Sequence, residues 1–547
     1  AHGRHGERLA HRGALPVSTA DSTLAPPRHR ARDRVAGRVR ALAQPVTLQR
    51  TALFLAFLVG VSLALRTQAM HARYWIDEGL SVGIASHPIG DIPGLLRQDG
   101  SPPLYYLLLG VWVHLFGIGE AHTHMLSLIF ALIAVPVAFY GARALFGDKT
   151  GWIAAVLAAL CPYLTYYAQE TRMYTLMVLL SLVFATSFAA VYAQRRRGWL
   201  PVFVASTTLL IYTHNWGLFL AAGSVVALGW LWQRSAERRA FVRDAAFGYG
   251  LVALFYLPWV PTLLAQAAHT GAPWAKRPAP NTIVKGLKFV VDGGMPLLVL
   301  LLCAGVGVAR LVAAPTRSPR AKAAAAIGIM ALSGITLAYA ASLVSPAWAN
   351  RYFAPFVGPL LIVGAVGLAR AGRLGLVGLA LLVAFWFEPR TFVLEHKSNA
   401  HDAIALVSDR LENGDVVVTT HPEQGPLIRL YMPGDVRLRY ANSLGFVPDP
   451  QIFDWRDVTD RLTAARPTPT ADSIVRTLKP GEHLLLVQPI LRTGKWKAPW
   501  TKLVKRRVIQ WERVLDRDRR LARTLAVPSY KYRRPPRGVR MVLYERY

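Results

Sequence analysis

Thr51 to Leu65 reads TALFLAFLVGVSLAL, an apolar run with no charged side chain, and nine residues later comes Tyr74-Trp75-Ile76-Asp77-Glu78-Gly79. A helix apolar on every side belongs in a very large core or in lipid, not on the surface of a small soluble domain. An uncharged span followed by aromatic residues and two adjacent acids is the pattern of a membrane helix that emerges into a polar loop at a membrane face.

The rest of the chain repeats the apolar signal. Requiring roughly 20 apolar residues per crossing, with some shorter or tilted, places further crossings near 122–145, 151–168, 172–193, 199–213, 216–232, 247–264, 295–312, 323–344, 352–370 and 374–388. Pro103 to Gly117 is apolar but short, and counting it as a full crossing would invert every later charge assignment. It reads as a dipping or re-entrant segment, tolerated at membrane depth when buried against protein or lining a cavity. Composition agrees: 53% of the 547 residues are hydrophobic and 17% charged, with a mean hydropathy of +0.30, whereas soluble domains run near a quarter charged. The expected fold class is a polytopic α-helical membrane protein with about 11–13 transmembrane helices.

The net charge of +32 does not argue for nucleic acid, because the basic residues stand in short clusters between apolar runs. Arg143 with Lys149, Arg195 to Arg197, Arg234 to Arg239, Arg317 to Lys322 and Arg370 with Arg373 read as cytoplasmic topology signals. The opposite turns, including Gln169-Glu170, His214-Asn215 and Ser345 to Asn350, then lie outside. Residues 1–47, rich in Arg, His, Ala and Pro, read as a disordered basic cytoplasmic tail, with Thr51 to Leu65 an uncleaved first span. Residues 48–390 form the membrane domain, with a large first outer loop over 66–103. Beyond 390 the texture changes. Short β-like runs at 416–418, 484–487 and 541–544 alternate with Gly-Asp and Pro-Gly turns, so 391–547 reads as a small extracytoplasmic α/β domain. Its many Lys and Arg run against the positive-inside rule, which is weak for whole domains. Cys161 and Cys303 lie inside apolar runs and read as core fillers, not as a disulfide or metal site.

Chemistry collects in the outer turns. Asp77 and Glu78 at the membrane surface are either paired functional acids or part of a solvated loop with a Trp belt. Asp99, in Asp99-Gly100-Ser101-Pro102-Pro103, also fits a Pro-initiated helix with an acid near its N-terminus. Glu170 and Arg172, among four tyrosines at a helix break, form a functional pair or a local ion pair closing the turn. His214 is a ligand or a packing histidine. Arg351 runs against positive-inside, as it would to hold an external anion such as a phosphate or to snorkel to head groups. Together these turns gather carboxylates that can deprotonate a hydroxyl or hold a metal, and arginines that can hold an anionic leaving group.

At these residues the sequence resembles the bacterial family 39 glycosyltransferases, membrane enzymes of the GT-C fold that include protein O-mannosyltransferases and lipid A aminoarabinose transferases. The resemblance covers roughly 48–390. It rests on Asp77-Glu78, on Ser101-Pro102-Pro103-Leu104-Tyr105-Tyr106 where the family often has His-Pro-Pro-Leu, on Tyr167 to Tyr174, on Tyr212-Thr213-His214 and on Arg351-Tyr352. It implies transfer of a sugar from a polyprenyl-phosphate carrier to an acceptor hydroxyl of a glycan, lipid or protein on the extracytoplasmic face of the plasma membrane, with inversion. Asp77 is then the general base with Glu78 beside it. Arg172 and Arg351, with Tyr174 and Tyr352, steady the carrier phosphate. Asp99, Glu170 and His214 bind a divalent metal (Mg, Mn or Zn) or orient the sugar, although Ser101 in place of the frequent histidine weakens a metal site at that spot. The alternative is a transporter or flippase of a lipid-linked glycan; such proteins carry mid-membrane ionisable residues and inverted repeats, and the sequence shows neither. A C-terminal domain acting alone on a membrane anchor would need only one crossing.

Overall fold

The computed structural model describes residues 48–313, 318–387, 392–491, 496, 498–528 and 538–547. The basic segment 1–47 lies outside these residues. The chain divides into two compact units, 1–54 and 55–547. Of the first, the described residues 48–54 are helical.

The architecture is a helical bundle followed by a small mixed sheet. Among the described residues, seven helices are long and apolar enough to cross a membrane: Leu48–Arg66, Glu120–Phe146, Tyr174–Ala193, Arg238–His269, Gly294–Leu311, Pro319–Val344 and Asn350–Arg370. Leu104–Phe116, Gly217–Gln233 and Arg373–Trp386 are shorter apolar helices. Large apolar side chains remain exposed along them, such as Phe57, Leu115, Phe255, Leu302, Leu332 and Leu376. Water would not tolerate that surface, and a bilayer requires it. The protein is a multi-pass membrane protein.

Three expected boundaries change. The span expected over 151–168 breaks at Cys161 into Asp148–Leu160 and Pro162–Tyr167, because Pro162 cannot continue the ladder of the preceding turn. The carbonyls released at that break are taken by Arg66, fully buried, which donates to Ala158 O at 2.6 Å and Ala159 O at 3.2 Å, and it also reaches Ala131 O in the helix Glu120–Phe146 at 2.8 Å. The crossing expected over 247–264 starts earlier, at Arg238. Its Asp244 is buried and meets Arg195 at 3.0 Å and Arg197 at 2.9 Å, so that basic cluster also neutralises a buried acid. Finally, Asp99 does not start a helix. It ends Ile92–Asp99, and Gly100 (φ 94°) turns the chain in the left-handed region before the next helix begins at Leu104.

Among the described residues the sheet has six strands in the order β3-β2-β1-β4-β6-β5: β1 Val416–Thr419, β2 Arg439–Asn442, β3 Gly445–Phe446, β4 His483–Pro489, β5 Leu521–Val527 and β6 Val539–Arg546. β1 runs parallel to β2 and β4, with Val416 opposite Leu484, while β3, β5 and β6 join antiparallel. Alternation puts Val416, Val418, Leu484 and Leu486 on one face under Ile474 and Trp511. It puts Val417, Leu485, Val487 and Leu543 on the other, in one core with Tyr74 and Val82 from the stretch after the first long helix. The sheet therefore docks on the segment that carries Asp77 and Glu78. Two glycines one helical turn apart make the approach possible. A Cβ on Gly79 would lie 2.7 Å from Leu427 Cα, and one on Gly83 would lie 2.0 Å from Gln451 O.

Candidate active site

The helix Ile76–Ala85 starts after Trp75 in extended conformation and carries both acids in its first turn, where the helix dipole favours negative charge. Their surroundings differ completely. Glu78 is fully buried. It accepts from Thr171 N at 2.8 Å and bonds His124 Nε2 at 2.7 Å through one oxygen, and accepts from Lys397 Nζ at 2.7 Å and Trp75 N at 3.3 Å through the other. Burial raises its pKa, but Lys397 and His124 outweigh burial and hold the carboxyl below its usual range. His124 is itself fixed on Met70 O at 2.7 Å. This is a packed polar hub, and Glu78 does not line the cavity beside it.

Asp77 faces that cavity, a space of about 440 Å³. Its carboxylate lies 3.3 Å from Arg351 Nη2, a charge contact in which Oδ2 accepts no hydrogen bond. Its main-chain oxygen accepts from Arg172 Nη1 at 3.0 Å, and the same nitrogen donates to Ser81 Oγ at 2.7 Å. Arg172 Nε and Arg351 Nε are buried and without a hydrogen-bond partner among the described residues. Arg351 is framed by rings, 4.8 Å from the Trp274 centroid, 5.4 Å from Tyr352 and 5.8 Å from Trp75, while the Tyr163 hydroxyl donates to its carbonyl.

His214 caps the C-terminus of Leu200–Thr213. Its Nδ1 accepts from Trp216 N at 3.1 Å, which leaves the proton of a neutral ring on Nε2. Burial first, then Arg172 and Arg351, push its pKa down to about 3. Asp99 accepts from the Tyr106 hydroxyl at 3.5 Å. Burial raises its pKa despite Ser101 and Arg172, and its place at the C-terminal end of a helix works in the same direction.

Of the residues singled out in the sequence, the cavity thus brings together Asp77, Asp99, Arg172, His214, Arg351 and Tyr352. Glu170 is buried in its turn, and Tyr174 packs under Arg172 with its ring 5.7 Å from the guanidinium; neither lines the space. Sequence reasoning missed Trp274, Glu423 and Trp455. The last two come from the sheet domain, and no pattern in the sequence marks them. Among the described residues no three His, Cys, Asp or Glu side chains converge as metal ligands. The Asp77 carboxylate is engaged by Arg351.

No protein-family model matches the sequence, and no curated protein does. Solved structures do match in fold. ArnT from Cupriavidus metallidurans in the apo state aligns with a TM-score of 0.57 at 13% identity over 91% of this chain and 98% of that one. The same protein bound to undecaprenyl phosphate aligns at 0.56 and 14%, with the same coverage. The arabinofuranosyltransferase AftD from Mycobacteria aligns at 0.54 and 16%, over 90% of this chain and 40% of that one. The chain has the GT-C fold of membrane glycosyltransferases. Identities this low speak to fold, and activity has to be argued from the site.

Proposed function

We propose that the protein transfers a sugar from a polyprenyl-phosphate carrier to an acceptor hydroxyl on the extracytoplasmic face of the plasma membrane. The observation that carries this reading is Asp77: a carboxylate oxygen that accepts no hydrogen bond, on a cavity that also holds two guanidiniums, each with a buried, unused Nε–H. Leaving such groups unsatisfied costs on the order of 1–3 kcal/mol each, a cost removed when a phosphate occupies the arginines and a hydroxyl reaches the carboxylate. The acceptor hydroxyl gives its proton to Asp77 as its oxygen bonds the anomeric carbon. The bond from that carbon to the carrier phosphate breaks, and its electron pair leaves on the phosphate, steadied by Arg172 and Arg351. Attack from the face opposite the phosphate inverts the anomeric centre. Bound phosphate also competes with Asp77 for Arg351, which couples donor binding to release of the base.

ArnT, whose fold this chain shares, has been solved with undecaprenyl phosphate, which supports a donor of that chemistry here. The motif resemblance to family 39 leaves the sugar open, with mannose and arabinose both within its range. Purified protein in detergent, given polyprenyl-phosphate mannose and an acceptor, should release polyprenyl phosphate in one compartment. A flippase would need two compartments and would leave the phosphate ester intact.

A further inference from the structure

The cavity at Asp77 is not closed on its outer side. A second space of about 550 Å³ adjoins it, and both are bordered by Ala267, Gly271, Ala272, Ser345 and Trp455. We infer that the two form one cleft, and that its outer half binds the acceptor as a neutral glycan chain, so that only the terminal sugar reaches Asp77. This inference rests on the glycosyl-transfer reading and names the acceptor class that reading leaves open.

The outer half runs between the turn after helix Val260–His269 and the start of the sheet-domain helix Val458–Ala464. Its walls are tied together. Asp457 N donates to His269 O at 2.8 Å, the Asp457 carboxylate meets the His269 ring at 3.1 Å, and Trp455 N donates to Gln98 O at 2.9 Å. The cleft is therefore formed before any ligand arrives, which spares the ordering cost of binding. Its chemistry combines an indole at the junction, Trp455, with short acids and bases farther out, Asp457, Asp460, Lys276 and Arg277. The Trp455 indole packs against Phe453 and Trp500 and still borders both spaces, and an aromatic border with polar groups around it suits the C–H surface and hydroxyl rim of a sugar ring. Acids and bases side by side would repel part of any strongly anionic chain, and although Ala267, Ala272, Pro273, Val458 and Pro499 supply some apolar wall, an acyl chain would have to strip water from Asp457, Asp460, Lys276 and Arg277 to use it. A glycan without charge meets both demands, since each hydroxyl can donate to a carboxylate and accept from Lys or Arg.

The test uses the full-length protein in detergent, with linear α1→6 mannohexaose, the matching monosaccharide, a Ser/Thr-containing octapeptide and lipid A as acceptor probes, and polyprenyl-phosphate mannose or arabinose as donor. The hexasaccharide should be labelled with a KM about tenfold below that of the monosaccharide. Asp460→Ala, an exposed position whose loss should not affect folding, should raise the hexasaccharide KM about tenfold and act on KM more than on kcat. Equal or better use of peptide or lipid A, or a hexasaccharide no better than its monosaccharide, overturns the inference. Saturation-transfer NMR with the hexasaccharide alone separates the two levels. Binding that weakens in Asp460→Ala, without polyprenyl phosphate release from any donor, would leave the glycan cleft standing and defeat the transfer reading. Absence of binding defeats the cleft, whatever the donor does.

Discussion

Arg351 Nη2 stands 3.3 Å from Asp77 Oδ2, while Arg172 holds the main-chain oxygen of the same aspartate at 3.0 Å. One guanidinium fixes the side chain and the other its backbone, so the carboxylate is oriented without having its oxygen covered. Asp77→Asn keeps the size and removes the charge. Transfer should fall by about 10²–10⁴-fold, the usual worth of a general base, with the thermal midpoint little changed. Wild-type turnover in that variant would place the base elsewhere.

The two arginines should separate by what they touch. Arg351→Lys keeps a charge near Asp77 but loses the planar fork that suits phosphate. Polyprenyl phosphate should then bind about 10–100-fold more weakly, the equivalent of about 1–3 kcal/mol of charge-assisted hydrogen bonding. Arg172→Lys also breaks the bonds to Ser81 and the Asp77 carbonyl, so kcat should fall along with affinity. Direct titration of polyprenyl phosphate, read beside steady-state rates, distinguishes the two patterns.

Much of this site could be read from the chain because its residues sit at span ends, where a charge next to an apolar run is visible by contrast. Asp77, Arg172 and Arg351 stood out for that reason. Glu78 stands out equally in the sequence as a partner for Asp77, yet the structure packs it away from the cavity. Its partners His124 and Lys397 come from distant positions, and no local pattern links them. Glu423 and Trp455 stayed hidden because they reach the cavity only through docking of the sheet on the Ile76–Ala85 helix. That docking depends on Gly79 and Gly83, which in the sequence look like ordinary small residues in a loop.

Lys397 reaches Glu78 from beyond the last apolar helix, with both side chains fully buried. Removing one partner of such a pair leaves a buried charge, at a cost of about 3–5 kcal/mol. Lys397→Met should therefore lower the thermal midpoint strongly, and Lys397→Met combined with Glu78→Gln should recover most of it. The acid limb follows from the same contacts. With a folded-state pKa below its ordinary 4.5, Glu78 contributes its stability fully above that value and loses it as pH falls further. Glu78→Gln should flatten unfolding curves recorded below about pH 4.5. Unchanged acid sensitivity in that variant would show that the hub does not govern it.

His214 provides a test of the phosphate site that needs no turnover. With its pKa pushed down to about 3 from 6.5, the folded ring stays neutral while the unfolded chain takes up a proton near 6.5. The unfolded state thus binds more protons in that interval, so this histidine makes stability fall as pH drops from 6.5 towards 3. His214→Asn should remove that part of the pH dependence. The kcat/KM profile between pH 5 and 8 should keep its shape, since a neutral ring has no proton to gain there. Part of the depression comes from Arg172 and Arg351, and an anion seated between them would cancel it. Ring-labelled histidine NMR should therefore show the His214 pKa rising when polyprenyl phosphate is added and staying low with a neutral polyprenol. An equal response to both lipids would mean that the phosphate does not sit on these arginines.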